Sequence, residues 1–161
     1  MILLKEVSGG FEVLLVKRNP ALKFLGGKWV FPGGKVDSVD QGSDLDCRMQ
    51  AAAVRELSEE TGLSIESDQL INFAHWVTPQ SSALRFSTRF YVATLTSKQT
   101  VSIDYSEIID YCWIKPQQAI VKNGNGQIRL SVPTFVSLMH LKELEFCHGE
   151  IDLSTLPEPF H

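Results

Sequence analysis

Cysteine is scarce in this chain: three in 161 residues, Cys47, Cys112 and Cys147, widely spaced and without a C-x-x-C pair. An odd, scattered set excludes a disulfide framework or a paired-thiolate zinc site and fits a reducing cytoplasm, where the chain is expected to reside. Long hydrophobic runs are also missing. None approaches the ~18 residues that suggest a membrane span, and the opening Ile2-Leu3-Leu4 is too short for a signal peptide. Positive charge is not in excess, since 15 Lys and Arg against 19 Asp and Glu give a formal net charge of −4. That balance removes the electrostatic basis for general nucleic-acid binding. A mildly acidic protein can still hold phosphates through a local basic patch and a metal. Internal repeats and low-complexity tracts are absent. What remains is an ordinary globular composition, 43% hydrophobic and 21% charged, long enough for one domain with a real core over residues 1–161.

The apolar pattern sets the order of elements. Ile2 to Val7 and Glu12 to Lys17, around Gly9-Gly10, read as a β-hairpin. A loop from Asn19 to Gly27 leads to a short strand, Lys28 to Phe31, ended by Pro32-Gly33-Gly34. Lys35 to Asp44 is polar and turn-rich. A helix is expected from Leu45 to Thr61, with Ser43 or Asp44 as N-cap, Gly62 just past its end, and Ala53, Val54 and Leu57 on its buried face. Strands follow at Leu70 to Val77, Arg85 to Leu95 and Ile108 to Ile114. A short helix is expected at Pro116 to Lys122, a flexible turn at Asn123 to Gly126, a second long helix at Pro133 to Phe146, and a loosely packed tail from Gly149 to His161. The order predicts an α+β fold, a mixed β-sheet sandwiched between α-helices.

The stretch Arg55-Glu56-Leu57-Ser58-Glu59-Glu60-Thr61-Gly62-Leu63 violates local stability rules. At about 100° per residue, Glu56, Glu59 and Glu60 share roughly a quarter-turn arc. Like charges three and four residues apart repel, and anions at a helix C-terminus oppose its macrodipole. Such violations often mark functional sites. A divalent cation would relieve this one, because clustered hard oxygen ligands suit Mg²⁺ or Mn²⁺. A solvated acidic helix face is the plainer alternative.

Taken with the upstream glycine loop, these residues resemble the Nudix hydrolases. That family's signature is a glycine, five residues, a glutamate, seven residues, then Arg-Glu-aliphatic-any-Glu-Glu-any-Gly-aliphatic. The second half matches from Arg55 to Leu63. The first half departs: five residues beyond Gly34 stands Asp40, and fourteen residues separate it from Arg55. We take this as an insertion before the helix, with Asp40 nearest to the missing glutamate, whose role in many members is to serve the local fold. Further blocks, Trp29-Val30-Phe31-Pro32-Gly33-Gly34-Lys35-Val36-Asp37, His75-Trp76-Val77-Thr78-Pro79, Arg85 to Tyr91 and Leu130 to Thr134, are similar to the acyl-coenzyme A diphosphatase-like branch. Gly27 fits that branch's upstream pattern, but Lys23 stands where it has Arg.

The resemblance implies a metal-dependent pyrophosphohydrolase that cleaves a nucleoside diphosphate linked to another moiety. Coenzyme A or an acyl-coenzyme A is the preferred substrate. ADP-ribose, NDP-sugars, dinucleotides and nucleoside triphosphates are alternatives, as is a nucleotide-binding module with weakened catalysis. It further implies Glu56, Glu59 and Glu60 as ligands of Mg²⁺ or Mn²⁺ together with the backbone at Gly34, and Arg55 as the residue that orients a carboxylate. Glu56, Glu59 or Glu107, the last in a later loop, would assist catalysis. Gly33, Lys35, Arg85 and Arg89 are the candidate substrate contacts. Each has a plainer role open to it: a turn for Gly33 and Gly34, a surface turn for Glu107, ion pairs on a sheet face for Arg85 and Arg89. Trp76, Trp113 and Phe90 read as core ahead of base stacking, and His75 as structural. The expected partner is a small nucleotide-diphosphate compound. No membrane or general nucleic-acid partner is expected, and a homodimer is left open.

Overall fold

Ile2–Val7 (β1) and Gly10–Arg18 (β2) form an antiparallel hairpin with Leu4 opposite Val13 and Val7 opposite Gly10. The computed structural model describes residues 1–78, 80, 86–144, 146, 147, 150, 151 and 153. Arg85, Pro79 and most of the tail beyond Gly149, all singled out above, lie outside the described residues. Both hairpin strands are buried on two faces, which explains their near-continuous apolar runs. Strand β2 also pairs antiparallel with Trp29–Val30 (β3) and with Ile108–Ile114 (β6). Strand β1 pairs parallel with Ser87–Thr94 (β5), which pairs antiparallel with Ile71–Val77 (β4). The result is a mixed six-stranded sheet.

Alternation along β1 divides the core. Ile2 and Leu4 join Val13, Leu15, Phe73, Val92, Leu138 and Leu141 in one fully buried cluster. Helices Pro116–Gly124 (α2) and Val132–Leu141 (α3) cover that face, through Ala119, Leu138 and Leu141. Met1 and Leu3 join Leu14, Leu57, Leu63, Tyr91 and Ala93 on the other face. There Leu45–Thr61 (α1) packs through Leu57, with Ala53 and Val54 partly buried. The expected helix–sheet–helix sandwich is the one observed.

Helix α1 has the expected bounds. Asp44 caps it, accepting the Cys47 N–H at 2.9 Å. Gly62 ends it at φ 70°, the left-handed region that a side chain disfavours. Its buried residues are Ala52, Leu57, Glu60 and Thr61, so the apolar face rotates onto a glutamate that the apolar pattern did not include. Two other boundaries move. Helix α2 runs through Gly124, into the expected turn. Helix α3 stops at Leu141, and Phe146–Cys147 (β7) pairs instead with Glu150–Ile151 (β8). Among the described residues no helix is long and apolar enough to cross a membrane.

Candidate active site

The last two turns of α1 project toward the Pro32-Gly33-Gly34 turn that follows β3. Arg55 organises this junction. Its Nε and Nη2 donate to Asp40 Oδ1 and Oδ2 at 2.8 and 3.0 Å, a bidentate fork. Its Nη1 donates to Glu56 Oε1 and Glu59 Oε2, both at 2.9 Å, and Nη2 also reaches the Lys35 carbonyl at 3.0 Å. One guanidinium therefore gathers the loop, two of the three signature carboxylates and the strand of chain after Gly34. Its planar set of donors is what makes this possible.

Asp40 is 4% exposed. It takes the Asp37 N–H at 2.6 Å as well as the Arg55 fork. The Arg55 hydrogen bonds, working against burial, hold its carboxyl below the usual range. Arg48 closes the loop from the other side, donating to the carbonyls of Asp40 at 3.0 Å and Asp37 at 3.3 Å. The segment before α1 is thus folded onto two arginines of the helix, and Asp40 orients Arg55.

Glu60 faces inward. Its Oε2 accepts the Gly33 N–H at 2.8 Å, and Arg18 Nη1 lies 3.9 Å from its Oε1. Burial, helped by the nearby charge of Glu56 and opposed by the Gly33 hydrogen bond, pushes its carboxyl up to about 7. The backbone of Gly34 runs against Glu56 so closely that a Cβ there would overlap the carboxylate. Glycine is required by this contact. Beside Gly33, the nitrogen of Met1 donates to the Pro32 carbonyl at 2.6 Å and ties the turn to the start of β1.

The other expected residues are placed unequally. Glu107 is exposed and stands 3.7 Å from Arg18 Nη2, so one guanidinium links it to Glu60. Lys35 enters through its backbone carbonyl, its side chain being exposed. Arg89 pairs with Asp46 at 3.6 Å, and Tyr91 donates to the same carboxylate at 3.0 Å. Asp46 lies in the first turn of α1, about 15 Å along the axis from Glu56, so Arg89 is not brought to the acidic cluster. His75 bonds Ser87 at 2.8 Å across β4 and β5. Phe90 packs edge-on to Phe31 in the core, and Lys5 sits 4.4 Å above the Trp113 ring. Arg18 and Arg48 were not anticipated. The signal for Arg18 was its position as the last residue of a buried strand, where only a charge with a specific partner is expected.

Among the described residues no three His, Cys, Asp or Glu side chains converge as a ready-made metal cage. Glu56 and Glu59 lean on Arg55, and Glu60 on Gly33. The donor set nevertheless fits a hard cation. It consists of carboxylates at the negative end of a helix, and the charge of Glu56 already disfavours ionisation of Glu60.

A family model, NUDIX domain, matches residues 1–135. The chain is 27% identical to putative nudix hydrolase 7 of Caenorhabditis elegans over 92% of its own length and 63% of that protein. It is 22% identical to the acyl-coenzyme A diphosphatase NUDT19 of Xenopus laevis, over 86% of this chain and 60% of that one. It thus spans about three-fifths of the length of these two relatives. A NUDIX hydrolase from Alicyclobacillus acidocaldarius shares the fold at a TM-score of 0.76, with 20% identity and 87% of each chain covered. With that match across most of its length, and the Arg55-to-Leu63 half-signature folded onto the glycine turn, the chain belongs to the NUDIX domain family.

Proposed function

We propose that this protein is a metal-dependent hydrolase of a nucleoside diphosphate linked to a second moiety, with coenzyme A or an acyl-coenzyme A preferred. The observation that carries the proposal is the Arg55 junction. It holds Asp40, Glu56 and Glu59 in one hydrogen-bonded unit beside a glycine turn whose backbone packs directly on the Glu56 carboxylate. A solvated acidic helix face would have no use for a buried aspartate or for a glycine packed on a carboxylate.

Glu56, Glu59 and Glu60, with the Gly34 backbone, are the residues that would hold Mg²⁺ or Mn²⁺, and the ion would screen the diphosphate and acidify water. Arg55 keeps Glu56 and Glu59 oriented. Gly33 steers Glu60 through its N–H. Water adds to one phosphorus, the bridging P–O bond breaks, and the water's proton passes to a carboxylate. Glu107 is our assignment for that base, held toward Glu60 by Arg18, and proton transfer of this kind contributes about 10²–10⁴-fold.

The resemblance to the acyl-coenzyme A diphosphatase supports the preferred substrate at 22% identity. The test is purified protein with Mg²⁺ or Mn²⁺ and a panel of coenzyme A, ADP-ribose, NADH and dinucleoside polyphosphates, scored by product mass. Coenzyme A should yield 3′,5′-ADP and a phosphopantetheine product. Preferential cleavage of another member would reassign the substrate. Binding without any turnover would favour a nucleotide-binding module.

A further inference from the structure

One aromatic pair, an exposed ring packed on a half-buried one, takes no part in the chemistry assigned above. Phe24, in the loop between β2 and β3, is 46% exposed. Its ring centroid is 4.7 Å from that of Phe86, just before β5, with the planes at 40°. Residues far apart in sequence therefore build one aromatic surface.

The loop holds that surface firmly. Arg18 N–H donates to the Lys28 carbonyl, Gly27 N–H to that of Arg18 and Lys28 N–H to that of Leu25, each at 3.0 Å. Asn19 anchors the far side, donating through Nδ2 to the Ser106 carbonyl at 2.8 Å. Leu25 adopts φ 54°, a costly conformation for a branched side chain. It does so while packing against the Val16, Val30 and Ile108 cluster. Anchoring Leu25 inward fixes its neighbour Phe24 outward. A ring pre-set in this way loses little freedom when a ligand lies on it.

The Phe24 backbone is tied to the candidate site. Arg18 Nε donates to the Phe24 carbonyl at 3.3 Å, while its two terminal nitrogens face Glu60 and Glu107. The same guanidinium thus joins the Phe24 backbone to the acids. A flat, half-exposed ring whose backbone is held by the arginine facing Glu60 and Glu107 matches a flat ligand group, and the nucleoside moiety supplies one.

We propose that Phe24, backed by Phe86, is the platform on which the nucleobase of the substrate stacks; this rests on the hydrolase function proposed above. The test is calorimetric binding of ADP and of inorganic pyrophosphate, with Mg²⁺ present, to wild type, Phe24→Ala and Phe24→Trp. Phe24→Ala should weaken ADP about five- to a hundred-fold while leaving pyrophosphate within about twofold. Phe24→Trp should restore ADP. Unchanged ADP affinity in Phe24→Ala, or equal loss of both ligands, would overturn the platform. So would normal ADP binding with selective loss of coenzyme A, which would place the ring under the thiol-bearing arm. Turnover is scored separately. Wild type that binds ADP in this pattern yet cleaves no diphosphate refutes the hydrolase and leaves the platform standing. Cleavage with unaltered ADP binding in Phe24→Ala does the reverse.

Discussion

Arg55 and Asp40, fifteen positions apart, are joined by two parallel hydrogen bonds of 2.8 and 3.0 Å, with Asp40 almost wholly removed from solvent. The same guanidinium reaches Glu56 and Glu59. The loop before α1 and the acidic turns of α1 are therefore a single mechanical unit, and disturbing the hidden aspartate disturbs the exposed acids.

Asp40→Asn should destabilise the fold by about 3 kcal/mol, the lower end for breaking a buried pair, because Arg55 retains Glu56, Glu59 and partial contact with water. Urea denaturation at neutral pH measures this. A change within experimental error would show that the fork adds nothing to stability.

The pair also sets an acid limit. Arg55 favours the charged form of Asp40, so the folded carboxyl titrates below its unfolded value of about 3.9. A depressed folded value contributes stability that is present above the unfolded value and lost as pH falls through the folded one. The stability gap between wild type and Asp40→Asn should therefore be constant near neutrality and close progressively below about pH 4. Paired denaturation curves from pH 7 downward check the sign, and a gap that widens in acid contradicts it.

Glu59 is the most exposed of the signature acids, with a side chain 59% accessible. Glu59→Gln should reduce turnover by at least about a hundred-fold while shifting Tm by no more than about 2 °C. Product mass and thermal melts separate the two effects. Undiminished turnover would remove Glu59 from the mechanism.

Gly34→Ala forces its new methyl into the Glu56 carboxylate. The displaced carboxylate should lower Mn²⁺ affinity by about 10–100-fold, as when a ligand's support is lost. Titration of manganese relaxation follows this directly, and Gly34→Ala with wild-type affinity would separate the close contact from metal binding.

Much of the sandwich was legible in the sequence. Helix α1 and strand β6 fall where apolar spacing and capping residues put them, and the β1–β2 hairpin follows from two apolar runs about a glycine turn. Local chemistry decides these elements. Helix α3 ends early, at Leu141, where the chain tightens into i→i−3 bonds, Glu143 N–H to the His140 carbonyl and Leu144 N–H to that of Leu141, and Leu144 joins the core. Arg89 shares a strand face with Tyr91, as alternation requires, but alternation carries no information about which end of α1 that face meets.

The acidic arc, the glycine turn and the Arg55 half-signature belonged to the sequence alone, because helical periodicity converts three- and four-residue spacing into a shared face. Which acid is hidden and which is wet could not be read there. Glu56, Glu59 and Glu60 are chemically alike, and only the packing of α1 on the sheet turns Glu60 inward against Gly33 and leaves Glu59 in water. The parts played by Asp40 and Arg18, and the meeting of Phe24 with Phe86, likewise depend on chain segments brought together by folding, since hydrogen bonds and ring contacts act over a few ångströms of space and are blind to distance along the chain.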